Sequence, residues 1–388
     1  MQTQRKEVIH INNLNMRTWA EIDLGCVRDN YLAERAVYDG KAKVCCVVKA
    51  NAYGHGAVRM SKLFTELGAE FFAVATSNEA FELRDAGISA PILVLGYTPP
   101  EQAGQLAEKR ISQCVFSYEY AKKLAEIATR EGVRIPVHFK IDTGMGRLGF
   151  VFRHSSDESL AELMEACSFD CFIKEGIFTH FPVSDYKGDS LEFTKRQYNR
   201  FLEVVSLLEK NGYTFEVKHC SNSAAALYDC QYALDMVRVG LLFFGALPSD
   251  ERESDWIPKQ TMTLKTVIAN LKTVKAGDSV GYGREYIAEK DMKIATVPIG
   301  YADGFLRSNY PNGIELSVNG HACPVVGRVC MDQSMIDVSE LEEVKLGDEV
   351  IVFGNGGCNS LFDFAKKNNT IPNEILCLVG SRVPRVYK

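Results

Sequence analysis

No run of this chain is apolar for long enough to cross a bilayer, and the polar, mixed stretch from Met1 to Arg17 holds no apolar segment of signal-peptide length. The expected location is therefore the cytoplasm, with no membrane partner. Basic residues are gathered nowhere: 44 Lys and Arg stand against 50 Asp and Glu, for a net charge of −6. Without a clustered Lys/Arg face, the electrostatic footprint of a nucleic-acid binder is missing. Cys-x-x-Cys spacing is missing too, although the chain holds twelve cysteines and one adjacent pair, Cys45-Cys46. Scattered thiols in so long a chain argue against a zinc site or a disulfide framework, and read as reduced, buried side chains. No low-complexity segment interrupts the sequence.

What is present is ordinary for a globular protein: 46% apolar and 24% charged residues. At 388 residues the chain exceeds one typical core, so two domains, or a barrel plus a smaller unit, are expected. Over roughly the first 250 residues, short apolar runs alternate with helix-like stretches. The runs are Val44–Lys49, Phe71–Thr76, Pro91–Gly96, Ser112–Ser117, Pro136–Asp142, Gly176–Phe181, Val217–Ser221 and Val237–Phe244. Eight strands alternating with helices suggest an α/β fold of the (β/α)8 TIM-barrel kind, although a doubly wound sheet gives the same alternation. The clearest helix is Leu191–Gly212, with Phe193, Tyr198, Phe201, Val204, Val205 and Leu208 at helical spacing and Asn211-Gly212 as its stop.

Beyond the charged, proline-containing stretch Ser249–Pro258 the character changes. Thr261–Leu271, Lys293–Ile299, Glu315–Val318, Pro324–Asp332 and Glu349–Phe353 are short β-rich runs punctuated by glycine, which suggests a small C-terminal all-β domain. The expected division is a barrel over 1–250 and a β domain over 251–388, with the first 20 or so residues assignable to the β domain.

Polar residues collect at the ends of the predicted barrel strands. They are Lys49 on the first, Lys140 and Asp142 on the fifth, His180 on the sixth, Asn222-Ser223 after the seventh, and Arg238 on the eighth. Strand C-termini build the mouth of such a barrel, and polar groups there are costly to desolvate unless they bind something. An amine leaving an apolar strand loses solvation, which lowers its pKa and frees its lone pair as a nucleophile. Taken alone, each residue also has a bland reading: Lys49 as a snorkelling lysine, Arg238 as a salt-bridge partner, Ser223 as a plain N-cap, Tyr301 as a core aromatic and Tyr282 as a packed tyrosine in a glycine turn.

Nine short stretches follow one another in a distinctive order. They are Val48-Lys-Ala-Asn-Ala-Tyr-Gly-His-Gly56, Lys140-Ile-Asp-Thr-Gly-Met-Gly-Arg-Leu-Gly149, Thr179-His-Phe181, Ser221-Asn-Ser-Ala-Ala225 and Val237-Arg-Val-Gly240. Gly281-Tyr-Gly283, Pro298-Ile-Gly-Tyr-Ala-Asp-Gly304, Cys330-Met-Asp-Gln333 and Arg382-Val-Pro-Arg385 follow. Together these stretches resemble the alanine racemase family, and the resemblance implies a barrel followed by a β domain, a head-to-tail homodimer, and pyridoxal 5′-phosphate carried on Lys49. That cofactor is an electron sink for the carbanion formed when Cα loses its proton. Racemisation needs proton donors and acceptors on both faces of the carbanion; the resemblance assigns one face to Lys49 and the other to Tyr282 of the partner subunit. A free tyrosine titrates near 10, so a phenolate base at neutral pH needs a shift of roughly 2–3 units, for which a cation such as His180 or an arginine is expected nearby.

The resemblance also places Arg238 against the pyridine nitrogen, where a group that does not give up its proton keeps that nitrogen unprotonated. A weaker electron sink then restrains side reactions. Tyr53, Asn222, Ser223, Gly240 and Leu241 form the expected phosphate group. Arg147 orients the substrate carboxylate. On Pro136–Asp142, alternation puts His138, Lys140 and Asp142 on one face. Related enzymes often carry a carbamate on the lysine equivalent to Lys140; the simpler reading is a Lys140–Asp142 pair. Tyr301, Met331 and Asp332 match segments that the partner lends to the active-site entrance. One position departs from the family: Ser381 replaces a common tyrosine, so alanine is expected as the main substrate with measurable serine turnover. The rival readings are a decarboxylase of the same architecture, a non-catalytic pyridoxal-phosphate binding protein, and a racemase that works physiologically on serine or another amino acid. Gly281-Tyr282-Gly283 and Cys330-Met331-Asp332-Gln333 favour the racemase.

Overall fold

The structure is a computed structural model that describes residues 16–153 and 159–388. It divides into two compact units, Asp23–Thr261 and a second made of 16–22 with Met262–Lys388. Among the described residues no helix is long and apolar enough to cross a membrane.

In the first unit eight parallel strands follow one another around a barrel: Lys43–Val47, Phe71–Val74, Ile92–Val94, Ile111–Val115, Ile135–Asp142, Phe172–Phe178, Val217–His219 and Met236–Val239. Each overlaps one of the eight expected runs, although the sixth begins at Phe172, ahead of the expected Gly176, and the eighth ends at Val239, short of the expected Phe244. The eighth strand pairs in parallel with the first, Met236 opposite Lys43, so the ring is open only between the seventh and eighth. Even there, the Asp235 amide donates to the Lys218 carbonyl at 3.0 Å and the Arg238 amide to Ser221 at 3.1 Å. Helices return the chain between strands, as parallel pairing requires. The helix Ser77–Asp85 begins with a capping box between Thr76 and Glu79. Tyr118–Glu131 is capped by the Ser117 side chain and stopped by Gly132 at φ +67°. The expected helix over 191–212 runs Asp189–Lys210, with Gly212 at φ +86° just beyond it. Seven of the twelve cysteines are buried and fill the interior as small apolar groups.

The second unit is sheet-rich. Its six-stranded sheet has the order His321–Pro324, Glu315–Val318, Glu349–Phe353, Met262–Val267, Thr18–Ile22, Arg385–Tyr387. A three-stranded sheet joins Asn270–Val274, Met292–Val297 and Ser334–Asp337, over a core that includes Val280, Ile294 and Met335. Two expected runs need correction. Thr261–Leu271 is two strands, split at Ile268-Ala269. Pro324–Asp332 is mostly not a strand: Gly327 turns at φ +72°, and a β-carbon there would stand 2.5 Å from the Val280 carbonyl oxygen. The unit also carries the short helices Leu361–Lys367 and Pro372–Leu378.

Candidate active site

Lys49 leaves the first barrel strand into a left-handed turn: Ala50, Asn51, Ala52 and Tyr53 take φ of +51°, +54°, +53° and +50°. For L-residues this conformation costs roughly 1–2 kcal/mol each, so it must be held from outside. The Glu79 carboxylate accepts from the Ala50 amide at 2.6 Å and from the Ala75 and Thr76 amides at 2.8 and 3.2 Å. Asn51 Oδ1 accepts from the Ala57 amide at 2.8 Å. The fully buried His55 joins the Tyr53 carbonyl at 3.0 Å to Thr261 Oγ1 at 2.8 Å, and its ring packs 4.6 Å from Phe244. The Asn, His and Gly residues of this stretch are thus turn chemistry. Their product is that Lys49 and Tyr53 reach one cavity.

That cavity, about 320 Å³, is lined by Lys49, Tyr53, Lys140, Arg147, His180, Asn222, Ser223, Arg238 and Gly240, besides apolar groups. Four of its lining residues are Lys or Arg, and none is Asp or Glu. Leu241, the last of the barrel-side residues expected at the site, lies buried next to Gly240 and does not line it.

Arg238 is buried, and no carboxylate among the described residues pairs with it, against the salt-bridge reading. Its guanidinium donates to His219 Nδ1 at 2.8 Å, to the carbonyls of Thr179 and Cys220 at 3.0 and 2.9 Å, and to His180 Nδ1 at 3.2 Å. Burial pulls its pKa down to about 10. Burial, then Arg238, also drives His180 well below the usual histidine range. His180 is therefore a neutral donor at neutral pH and not the cation expected of it. Lys140 Nζ sits over the Phe178 ring at 5.1 Å and donates to the Ile141 carbonyl at 3.2 Å. Burial, reinforced by Arg238, lowers it to about 7. The expected Lys140–Asp142 pair is not made, because Asp142 turns the other way. Its carboxylate accepts from Gly144 and Gly146 and lies 3.6 Å from Arg153.

Around the end of the eighth strand, the N-cap of the helix Ser223–Tyr228 is Asn222, whose side chain accepts from Ala225. Ser223 is not the cap; its hydroxyl accepts from the Gly240 amide at 3.1 Å.

In the second unit Tyr282 lies between Gly281 and Gly283, at φ +76° and +73°, and is 69% exposed, so it is not a packed core tyrosine. Tyr282, Met331 and Asp332 line a hollow of about 550 Å³ with Lys272 and Cys330. Tyr301 is also exposed, and its amide donates to the Cys330 carbonyl at 3.1 Å. The buried Asp303 ties this region together. It accepts from Arg17 at 2.6 Å and from Arg382 at 2.6 Å, and Arg382 reaches Asp332 at 2.6 Å.

Residues 22–248 match the family model "Alanine racemase, N-terminal domain" and residues 261–387 match "Alanine racemase, C-terminal domain". This chain belongs to the alanine racemase family. It is 44% identical over 373 residues to alanine racemase 2 of Caldanaerobacter subterraneus, covering 95% of this chain and 94% of that one. It is 43% identical to the alanine racemase of Methanococcus maripaludis, covering 95% and 98%. Among solved structures, alanine racemase of Clostridium difficile 630 superposes with a TM-score of 0.90 at 39% identity, covering 96% of each chain. Alanine racemase of Bacillus anthracis with bound L-Ala-P gives 0.90 at 35% identity, covering 96% and 95%.

Sequence reading missed several residues of this racemase that the site depends on. Glu79 supports the turn after Lys49 from 29 positions away. His219, Thr179 and Cys220 hold Arg238. Asp303 was visible only as part of a motif. The available signal was local for Glu79, as the fourth position of a capping box, but that pattern does not announce a second carboxylate oxygen bound elsewhere.

Proposed function

We propose that the chain interconverts L- and D-alanine. In this reading it holds pyridoxal 5′-phosphate on Lys49 and uses Lys49 and Tyr282 of the partner subunit as bases on opposite faces of the substrate. The observation that carries this is the barrel cavity, lined by four Lys and Arg side chains, Arg147 and Arg238 among them, and by no carboxylate. Such a site calls for anions, and the cofactor phosphate and the substrate carboxylate are both anionic.

The donor set fits the cofactor. Tyr53, Asn222, Ser223 and Gly240 of the cavity wall, with Leu241 next to them in the chain, would hold the phosphate. Gly240 matters because a β-carbon there would crowd the Tyr53 hydroxyl at 2.8 Å. When bound, the cofactor supplies an electron sink for the carbanion at Cα. Arg238 would face the pyridine nitrogen as a donor that keeps its own proton, restraining side reactions. Lys49 accepts or returns the Cα proton on one face and the partner's Tyr282 does so on the other. Arg147 orients the substrate carboxylate, while Tyr301, Met331 and Asp332 of the partner subunit shape the entrance. Lys140, lowered to about 7 by burial and Arg238, has a free amine near neutral pH. That supports a carbamate there, which would turn a cation into an anion able to position Arg147. The assembly is a head-to-tail homodimer, the location cytoplasmic, and the role D-alanine supply for peptidoglycan.

The test is incubation with L-alanine in deuterated water, following Cα deuterium and chirality together. Deuterium with the D-enantiomer is expected. Exchange with retained configuration would remove Tyr282 from the mechanism. A bound cofactor without any exchange would favour a binding protein or another substrate.

A further inference from the structure

We propose that Glu175 and His138 are positioning residues that fix, through His219, the hydrogen-bonding state of Arg238. The functional consequence rests on the reading that Arg238 faces the cofactor ring nitrogen.

A continuous chain of hydrogen bonds crosses the barrel interior. Glu175 Oε2 lies 2.9 Å from His138 Nε2, His138 Nδ1 lies 2.9 Å from His219 Nε2, and His219 Nδ1 lies 2.8 Å from Arg238. Its two ends are chemically unambiguous. A guanidinium only donates and a carboxylate only accepts. His219 must therefore accept at Nδ1, so its one proton sits on Nε2. That proton is donated to His138 Nδ1, so the proton of His138 sits on Nε2 and goes to Glu175. No other assignment satisfies every bond. An imidazolium at His138 would leave His219 accepting on both nitrogens, with no proton at all. Neutral His219 also agrees with its pKa, driven far below the usual range by burial and by Arg238.

The remaining geometry serves this chain. Ser112 donates to the same Glu175 oxygen. Two donors, His138 and Ser112, converge on one Glu175 oxygen, as an accepting carboxylate requires. A β-carbon at Gly176 would overlap the His138 ring, so glycine makes room for it to reach across to Glu175. The His219 ring stacks on Phe178 at 4.7 Å and 5°. Glu175 thus places the compensating negative charge for Arg238 two imidazoles away. The cavity keeps its cation, and Arg238 cannot rotate without orphaning a buried donor.

The experiment uses the full chain with 15N-labelled histidine nitrogens, as apoprotein and after loading with pyridoxal phosphate. Solid-state 15N spectra of the wild type should show His138 and His219 neutral and protonated on Nε2. Glu175→Gln keeps an acceptor and should keep both tautomers; Glu175→Leu removes it and should populate the Nδ1-protonated form. Racemase kcat should fall by roughly 10-fold or more in Glu175→Leu and by less than about 3-fold in Glu175→Gln, the scale of outer-shell partners. An Nδ1–H or imidazolium at either histidine in the wild type would overturn the proposal, whether or not the leucine variant folds. Unchanged tautomers in a folded Glu175→Leu would do the same. Because the apoprotein carries these signals, they stand or fall separately from the cofactor reading, whose own failure would appear as no bound chromophore on any variant.

Discussion

A β-carbon on Gly240 would stand 2.8 Å from the Tyr53 hydroxyl and 3.1 Å from its ring. Any side chain at Gly240 meets this collision, so Gly240→Ala is the smallest substitution that tests it. Tyr53 is held from behind by Phe244, with centroids 5.2 Å apart, and has little room to retreat. The substitution should displace Tyr53 and weaken pyridoxal phosphate binding by roughly 10-fold, or ~1.4 kcal/mol. Titration of the apoprotein with cofactor checks this; an unaltered affinity would separate Tyr53 from the phosphate.

The part of the site legible in sequence is the part set by single strands. Barrel strands buried on both faces read as continuous apolar runs, so the polar residues that end them stand out. Lys49, Lys140, His180 and Arg238 were all visible in this way. What joins residues across strands was not. His219 meets Arg238 because the seventh and eighth strands lie side by side, and His138 meets Glu175 because of the room left by Gly176. Periodicity carries no information about such contacts. In the second unit, strands are short and Pro324–Asp332 looks β-rich, yet Gly327 breaks it because the chain must pass close to Val280. Proximity demanded by packing overrode composition there.

Glu79 satisfies three backbone amides at once, one of them in the left-handed turn after Lys49. Glu79→Ala should cost about 2–3 kcal/mol of stability, since amides bonded to a charged acceptor lose more than a neutral bond. Glu79→Gln retains an acceptor and should lose less. Chemical denaturation of both variants measures the difference. A loss below about 0.5 kcal/mol in the alanine variant would mean the turn holds itself.

Lys140 gives a pH dependence with a definite sign. Its folded value is depressed to about 7 from the ordinary 10.5, through burial first and Arg238 second. Below about 7 both folded and unfolded chains carry the proton, and the folded one bears the full cost of a buried charge. Between about 7 and 10.5 only the unfolded chain holds it, so the stability difference traceable to Lys140 rises with pH across that window. Lys140→Met should therefore stabilise the apoprotein by on the order of 2–4 kcal/mol near pH 6, with the gain shrinking toward pH 9. Denaturation midpoints of both proteins at the two pH values decide the matter. With 13C-bicarbonate, a labelled carbamate signal should also grow as pH rises through 7 and be missing from Lys140→Met.

Ser381 lies exposed beside Arg382, whose guanidinium bridges Asp303 and Asp332 at 2.6 Å each. If lost bulk at Ser381 admits a hydroxymethyl side chain, Ser381→Tyr should lower the serine-to-alanine ratio of kcat/KM by about 10-fold, within the 1–3 kcal/mol that one extra group commands in such pockets. An unchanged ratio would send the search for the specificity determinant elsewhere.

Complementation between two inactive chains tests whether the two bases come from different subunits. Lys49→Ala and Tyr282→Phe should each be nearly inactive alone. In a head-to-tail dimer with composite sites, a mixed dimer has one site carrying both defects and one carrying neither. Random reassortment makes half of the dimers mixed, and half of their sites intact, so the mixture should recover up to about one quarter of wild-type activity. Recovery should require conditions that let dimers exchange, and should vanish on dilution below the dimer dissociation constant. If both bases belonged to one chain, every mixed dimer would be as inactive as its parents, and no reassortment would restore turnover. The exposure of Tyr282 within its own chain, at 69%, is what a residue awaiting a partner's cavity would show, and this experiment separates that role from a tyrosine that merely faces solvent.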